Sequence, residues 1–236
     1  MHIGNGIING RVSAAFLALA GVALVVCVMR GRRDLDDRLA PMAGLVAAFI
    51  FAVQMLNFPI LSGVSGHLLG GALAAMLVGP WVGALCVAVV LIVQALVLAD
   101  GGVTAIGLNV TNMALIGTAT AYVLIAVLLR LLPRTPTGLA ITTFVASVVS
   151  VVVASQAFVF EFWLGGNAQL EGQSLGAIAA TMAGTHTLIG IGEGLIAATT
   201  VLTVAKSRPD LVYGLRALRR TAAGRPAAVP AKEVAS

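Results

Sequence analysis

Seven apolar stretches separated by short polar breaks run along the chain, at about 12–29, 41–57, 66–79, 80–99, 105–132, 138–163 and 175–205. A helix that crosses a bilayer needs roughly 20 apolar residues, or 17 to 25 once tilt is allowed, so the pattern predicts seven spans. The third is short, since its 14 residues rise only about 21 Å as helix. Residues 66–99 form one apolar run of 34 residues, too long for a single span, and Gly79-Pro80 divides it. Proline removes a donor and disfavours helix in the residue before it. Small residues recur at four-residue spacing in Gly66/Gly70, Gly71/Ala75, Gly79/Gly83, Gly117/Ala121 and Gly190/Gly194, a pattern that lets helices pack closely.

Charge orients these spans. With seven crossings, thirteen of the fourteen Lys and Arg fall on one side and Arg11 alone on the other. If 66–79 did not cross, Arg130 and Arg134 would face outward. The excess of basic residues on cytoplasmic loops therefore predicts an all-α integral membrane protein of seven transmembrane helices, multi-pass in the cell membrane, N-terminus outside and C-terminus inside. Composition agrees: 59% hydrophobic, 10% charged and a mean hydropathy of +1.04, against about a quarter charged in soluble domains. The pI of about 10.0 then marks a cytoplasmic face and not a nucleic-acid partner. Residues 1–212 read as one membrane-embedded substrate-binding domain. Residues 213–236, basic and rich in Ala and Pro, read as a disordered cytoplasmic tail. Cys27 and Cys86 lie inside apolar runs and read as packing residues. No basic cluster precedes the first apolar run, so that run reads as a retained span and not a cleaved signal.

The candidate chemistry begins at the first residue. A chain that starts Met1-His2 offers one ion the α-amine, the His2 amide nitrogen and the His2 imidazole. Amine and amide close a five-membered chelate ring, and amide with Nδ1 a six-membered one. The three donors are nearly coplanar, a tetragonal arrangement suited to Ni(II), Cu(II) or Co(II). One donor is missing from the plane, and of His67 and His186 the former is the choice, since the loop 56–66 that leads to it lies on the same outer face. A bulky second residue should keep Met1 in place. Taken alone, a histidine at position 2 is ordinarily a tail residue. Eleven residues reach at most about 36 Å, enough to fold back over the bundle mouth, and Gly4, Gly6 and Gly10 permit turns with positive φ.

Polar residues inside the spans divide between structure and function. Asn109 and Asn112 stand one turn apart; buried amides in membranes ordinarily bond between helices, and the functional alternative is to orient a ligand imidazole. Gln54, Asn57 and Gln94 carry the same ambiguity. His186 and Glu193 share a face two turns apart, and an intramembrane Glu is by default a functional candidate. The run from Phe158 to Trp163 supplies aromatics suited to a membrane interface.

Four stretches taken together carry a resemblance: Met1-His2-Ile3; Ser65-Gly66-His67-Leu68-Leu69-Gly70-Gly71 running to Gly79-Pro80-Trp81; Ala99-Asp100-Gly101-Gly102 with Asn109 and Asn112-Met113; and His186 through Gly194. Over about residues 1–212 the chain resembles the CbiM/NikM family, the substrate-binding membrane (S) component of energy-coupling-factor transporters for cobalt or nickel. The resemblance implies an S-component fold with an extra N-terminal helix and ligation by the Met1 amine, the His2 amide and imidazole, and His67. It also implies a transmembrane T component, a pair of cytoplasmic ABC ATPases and a small accessory membrane subunit as partners. The cargo is Co(II) or Ni(II), and no resident cofactor is implied. Where family members often continue Pro-Asp-Gly, this chain has Gly4-Asn5-Gly6. Ser-Gly-His-Leu-Leu-Gly-Gly resembles the cobalt branch, so cobalt for cobalamin synthesis is the first reading and nickel the alternative.

Readings of other classes are an intramembrane serine protease and a plain channel. Gly63-Val64-Ser65-Gly66 matches the Gly-x-Ser-Gly of rhomboid-like proteases, with His186 as its base, but this leaves Met1-His2 and His67 without a role. No His-Glu-x-x-His and no phosphate-binding Gly-x-x-x-x-Gly-Lys-Ser/Thr occurs, so ATP hydrolysis falls to partner subunits.

Overall fold

A computed structural model describes residues 1–37, 39–133, 135–167 and 172–216. Its helices are α1 (Gly10–Gly31), α2 (Leu39–Gln54), α3 (Gly71–Val78), α4 (Pro80–Val97), α5 (Val103–Leu131), α6 (Pro136–Gly165) and α7 (Leu175–Ser207). Five of them, α1 and α4 to α7, are long and apolar enough to cross a membrane. Polar side chains set where several begin: Asn9, Thr135 and Ser174 each accept a hydrogen bond from the N–H three residues on, satisfying a donor that the first turn leaves free. Helix α5 opens as a 3-10 turn and runs as π-helix from Val110 to Gly117.

The third apolar stretch departs most from its expected form. Only Gly71–Val78 is helical, and residues 67–70 are not. Gly70 leads into the helix with a φ of +82°, a left-handed conformation that glycine alone adopts freely. The eight-residue helix itself rises roughly 12 Å. All eight residues of α3 are buried. Gly79 and Pro80 divide α3 from α4 as the sequence predicts, with Pro80 at the first position of α4, where its missing donor costs nothing.

Two more close approaches shape the bundle. A Cβ on Gly190 would stand 2.9 Å from the Val148 main chain, and one on Gly194 would stand 2.6 Å from the Phe144 ring. This small-residue pair brings α6 against α7. Helix α1 lies on the outside and buries only Ser13, Ala20, Cys27 and Gly31. Its remaining faces present Leu17, Val22 and Val25 outward, as a lipid-facing helix should.

The loop predicted at 56–66 is instead a hairpin, β2 (Phe58–Leu61) and β3 (Val64–Gly66), joined by β1 (His2–Ile3) in the order β1-β3-β2. Both pairings are antiparallel, with His2 opposite Ser65 and Ile3 opposite Val64. The mostly helical, apolar architecture is as expected, with five helices of spanning length, and this small sheet is added to it. Strands this short leave no alternation to read, and one of them pairs with the distant N-terminus.

The sheet caps one end of the bundle. At the other end Arg30 lies 5.8 Å from the Trp81 ring, and Arg216 reaches Asp36 at 3.8 Å. Tyr213 packs on Gly79 there. Of the tail read from residue 213 onward, residues 213–216 form a helical turn, and the rest lies outside the described residues.

Candidate metal centre

An irregular segment at membrane depth must find a partner for each main-chain polar group, because lipid supplies none. Much of the first nine residues is held in this way. The Gly4 N–H donates to the Gly63 carbonyl at 2.8 Å, and the Ile3 carbonyl accepts from the Gly102 N–H at 2.8 Å. The Ile3 N–H donates to Asn109 Oδ1 at 2.9 Å, and Asn109 Nδ2 returns a bond to the Ile3 carbonyl at 3.2 Å. Asn5 Oδ1 accepts from the Thr104 N–H and hydroxyl. Asn167 and Gly165 hold Gly6, Ile7 and Asn9. Met1, Ile3 and Ile7 are wholly buried.

Of the three glycines expected to turn this segment, Gly6 alone has positive φ. Gly4 is needed for space, since a Cβ there would stand 2.9 Å from the Gly63 carbonyl oxygen.

The segment delivers the Met1 amine to His67. The amine nitrogen stands 2.7 Å from His67 Nε2 and 3.3 Å from the Met113 sulfur. His67 Nδ1 lies 2.7 Å from the Leu68 carbonyl. A carbonyl only accepts, so Nδ1 carries the proton and Nε2 presents its lone pair to the amine. The non-helical run behind His67 is fixed from two sides: Glu193 Oε2 accepts from the Leu69 N–H at 2.6 Å, and Gln54 Nε2 donates to the Leu69 carbonyl at 2.8 Å.

The His2 ring lies 4.5 Å from the His67 ring, centroid to centroid. Its Nε2 is 3.6 Å from Asp100 Oδ2, and among the described residues neither ring nitrogen has a hydrogen-bond partner. Gly101, at a φ of +89°, leaves room for it, because a Cβ there would stand 2.7 Å from His2 Nδ1. A cavity of about 470 Å³ lined by His2, Asn57, Ser65 and Gly101 adjoins the site at the sheet end. Burial pushes the His2 imidazole down to about 3, with the neighbouring amine's charge acting in the same sense. Burial also pushes the Met1 amine well below its ordinary value, against the opposing pull of Asp100 and Glu193.

Among the described residues no three His, Cys, Asp or Glu side chains gather around one point. The donors that do stand together are the Met1 amine and the His67 imidazole. Two nitrogen donors about 2.0 Å from a metal and at right angles to each other stand about 2.8 Å apart, close to the observed amine–imidazole separation of 2.7 Å.

The remaining candidates spread around this centre. Asn109 grips Ile3, whereas Asn112 donates to Glu161 at 2.7 Å. Glu193 supports Leu69. His186 turns Nδ1 to the Met182 carbonyl at 2.8 Å, and its Nε2 is buried without a partner. The sequence reading gives no site role to Glu161, and it names Met113 only within a motif that carries the resemblance. The rule that singled out Glu193, that a carboxylate in a span is a functional candidate, applies equally to Glu161. Met113 lies four residues beyond Asn109 on the same helix, and no polar signal marked it.

These features define a multi-pass helical membrane protein that folds its own N-terminus into the bundle beside a buried histidine. The chain belongs to the CbiM family, described as the cobalt uptake substrate-specific transmembrane region, which matches residues 2–211. An Archaeoglobus fulgidus protein named as a fused nickel transport protein, NikMN, is 37% identical over 212 residues, 90% of this chain and 68% of that one. The cobalt transport protein CbiM of Sorangium cellulosum is 31% identical over 224 residues, 93% of this chain and 97% of that one. A crystal structure described as a truncated transition metal transporter superposes with a TM-score of 0.80 at 26% identity, covering 88% of this chain and 99% of that one. The chain is thus a cobalt/nickel transport membrane component and not an enzyme. The protease reading falls with this assignment: Ser65 sits in β3 opposite His2, while His186 spends its Nδ1 on Met182.

Proposed function

We propose that the chain captures Co(II) from outside the cell as the S component of an energy-coupling-factor importer and so supplies cobalamin synthesis. The ion is held in a plane by the Met1 amine, the deprotonated His2 amide, the His2 imidazole and His67 Nε2. The observation that carries this reading is the buried amine 2.7 Å from His67 Nε2, with no cluster of three His, Cys, Asp or Glu side chains among the described residues. The sheet end faces outward and the end bearing Arg30, Lys206 and Arg216 faces the cytoplasm, in seven crossings with the N-terminus outside. In this scheme a transmembrane T component, paired ABC ATPases and a small accessory subunit drive release. Asn109 and Glu193 act from behind the ligands by holding Ile3 and Leu69, and His186 and Asn112 lie further back.

Nickel is the second reading. A planar set of four nitrogens suits Ni(II), and the Archaeoglobus relative, named for nickel, is more similar to this chain than the Sorangium CbiM.

The test is metal content of the purified protein, by elemental analysis, with and without one N-acetylated alanine added before Met1, the acetyl group keeping the extension from forming an Ala-Met-His chelate of its own. The addition converts the amine into an amide inside a filled site. Near-stoichiometric cobalt or nickel in the unaltered chain and less than a tenth of it in the extended one is the expected result. Equal loading of both would sink the proposal.

A further inference from the structure

We propose that the thioether of Met113 is a fifth donor to the transported ion, set above the plane of nitrogens, and that it favours cobalt over nickel. This rests on the metal-binding reading above but assigns a residue outside that ligand set. Met113 is wholly buried, and its sulfur stands 3.3 Å from the Met1 amine nitrogen, a contact to a proposed ligand atom and not to a neighbouring side chain.

Distance supports ligation. A metal–nitrogen bond of about 2.0 Å and a metal–sulfur bond of about 2.3 Å at right angles put the two donors roughly 3.1 Å apart. A long, weak axial thioether, as in other nitrogen-rich metal sites, opens that slightly, toward the observed separation. The amine thus has one neighbour at the spacing of a donor in its plane, His67 Nε2, and one at the spacing of a sulfur donor off it.

Local structure gives the second support. Met113 falls in the π-helical part of α5, Val110–Gly117, and such irregular turns gather at functional sites. One turn earlier Asn109 holds Ile3. The same helix face therefore fixes the chelating terminus and brings sulfur to it. A leucine would fill the space equally well, so packing alone does not call for sulfur there.

A fifth donor changes selectivity in a definite direction. Ni(II) in a plane of strong nitrogen donors is satisfied with four, whereas Co(II) in the same plane takes a donor above it. The interaction is dative, with no proton or electron transferred.

The experiment is cobalt-edge X-ray absorption on the full chain loaded with Co(II), natural and selenomethionine-labelled, for the wild type and Met113→Leu. Met1 also carries a thioether, so the comparison between the two proteins decides. A selenium neighbour in the first shell of the wild type, lost in Met113→Leu while cobalt stoichiometry stays near one, supports the proposal. A drop of about tenfold in cobalt affinity, with nickel changed less than threefold, accompanies it. A nitrogen-only shell in the wild type, or a selenium shell that persists in Met113→Leu, overturns it and leaves four-nitrogen binding intact. Failure of the wild type to load metal overturns both. Leu for Met is among the mildest core exchanges, and Met113→Ile is the substitute should that variant not fold.

Discussion

Ile3 gives both of its main-chain polar groups to a single side chain, donating to Asn109 Oδ1 at 2.9 Å and accepting from Asn109 Nδ2 at 3.2 Å. That side chain works as a strand edge would, two residues from the amine. Asn109→Leu should leave the buried Ile3 N–H unpaired, at a cost of about 1–3 kcal/mol. The cost falls on docking of the terminus, because α5 keeps its own hydrogen bonds. Hydrogen exchange at residues 3–5 should accelerate while the helices stay protected, and metal affinity should fall about 10- to 100-fold, as when a group that orients ligands is lost. Unchanged exchange at Ile3 would refute the assignment.

Glu193 does for His67 what Asn109 does for Met1. Residues 67–70 are not helical although they lie inside a helical bundle, and Glu193 Oε2 takes the Leu69 N–H at 2.6 Å. Glu193→Gln keeps an acceptor oxygen and should bind metal within about threefold of the wild type. Glu193→Leu removes it and should cost about 1–3 kcal/mol, visible as a lower melting temperature in detergent together with weaker metal binding. If the two variants behave alike, the carboxylate's role lies elsewhere.

Hydropathy makes the apolar helices legible because lipid imposes one requirement over a whole helix, five of them being long and apolar enough to cross a membrane, and the local break at Gly79-Pro80 is where proline chemistry puts it. What escaped depends on partners distant in sequence. The hairpin at 58–66 is two short strands whose third member is His2–Ile3, so no local pattern announces it. The run Phe158–Trp163 was read as interfacial. Phe160 and Trp163 do point outward, but Phe158 and Glu161 on the opposite face are buried, and Glu161 meets Asn112 there. At the site, donor type and position singled out Met1, His2 and His67. The amides and carboxylate that aim them were named without their targets, since an Asn that grips a main chain reads like one that joins two helices.

Acid should act on this site mainly by undocking the terminus. Free in water, an α-amine titrates near 8 and an imidazole near 6.5; docked, burial holds the Met1 amine well below its ordinary value and His2 at about 3. The docked state therefore binds fewer protons than the undocked one, and the linkage sign follows. Docking is fully favoured above the free values and weakens as pH falls, first through the amine's range and then below 6.5 as His2 is drawn toward its charged, undocked form. While the terminus stays docked, burial disfavours the protonated amine and imidazole, so metal entry should release chiefly the His2 amide proton. Calorimetry in buffers of different ionisation enthalpy should thus find about one proton released per metal near pH 7.5, so that affinity changes about tenfold per pH unit. Below about pH 6 the count should climb toward three, in parallel with faster hydrogen exchange at residues 1–5 of the metal-free protein. A release that stays at zero across this range would exclude an amide ligand. A release of about two already at pH 7.5, the amide proton plus most of one from the amine, would mean that the metal-free terminus stands in water.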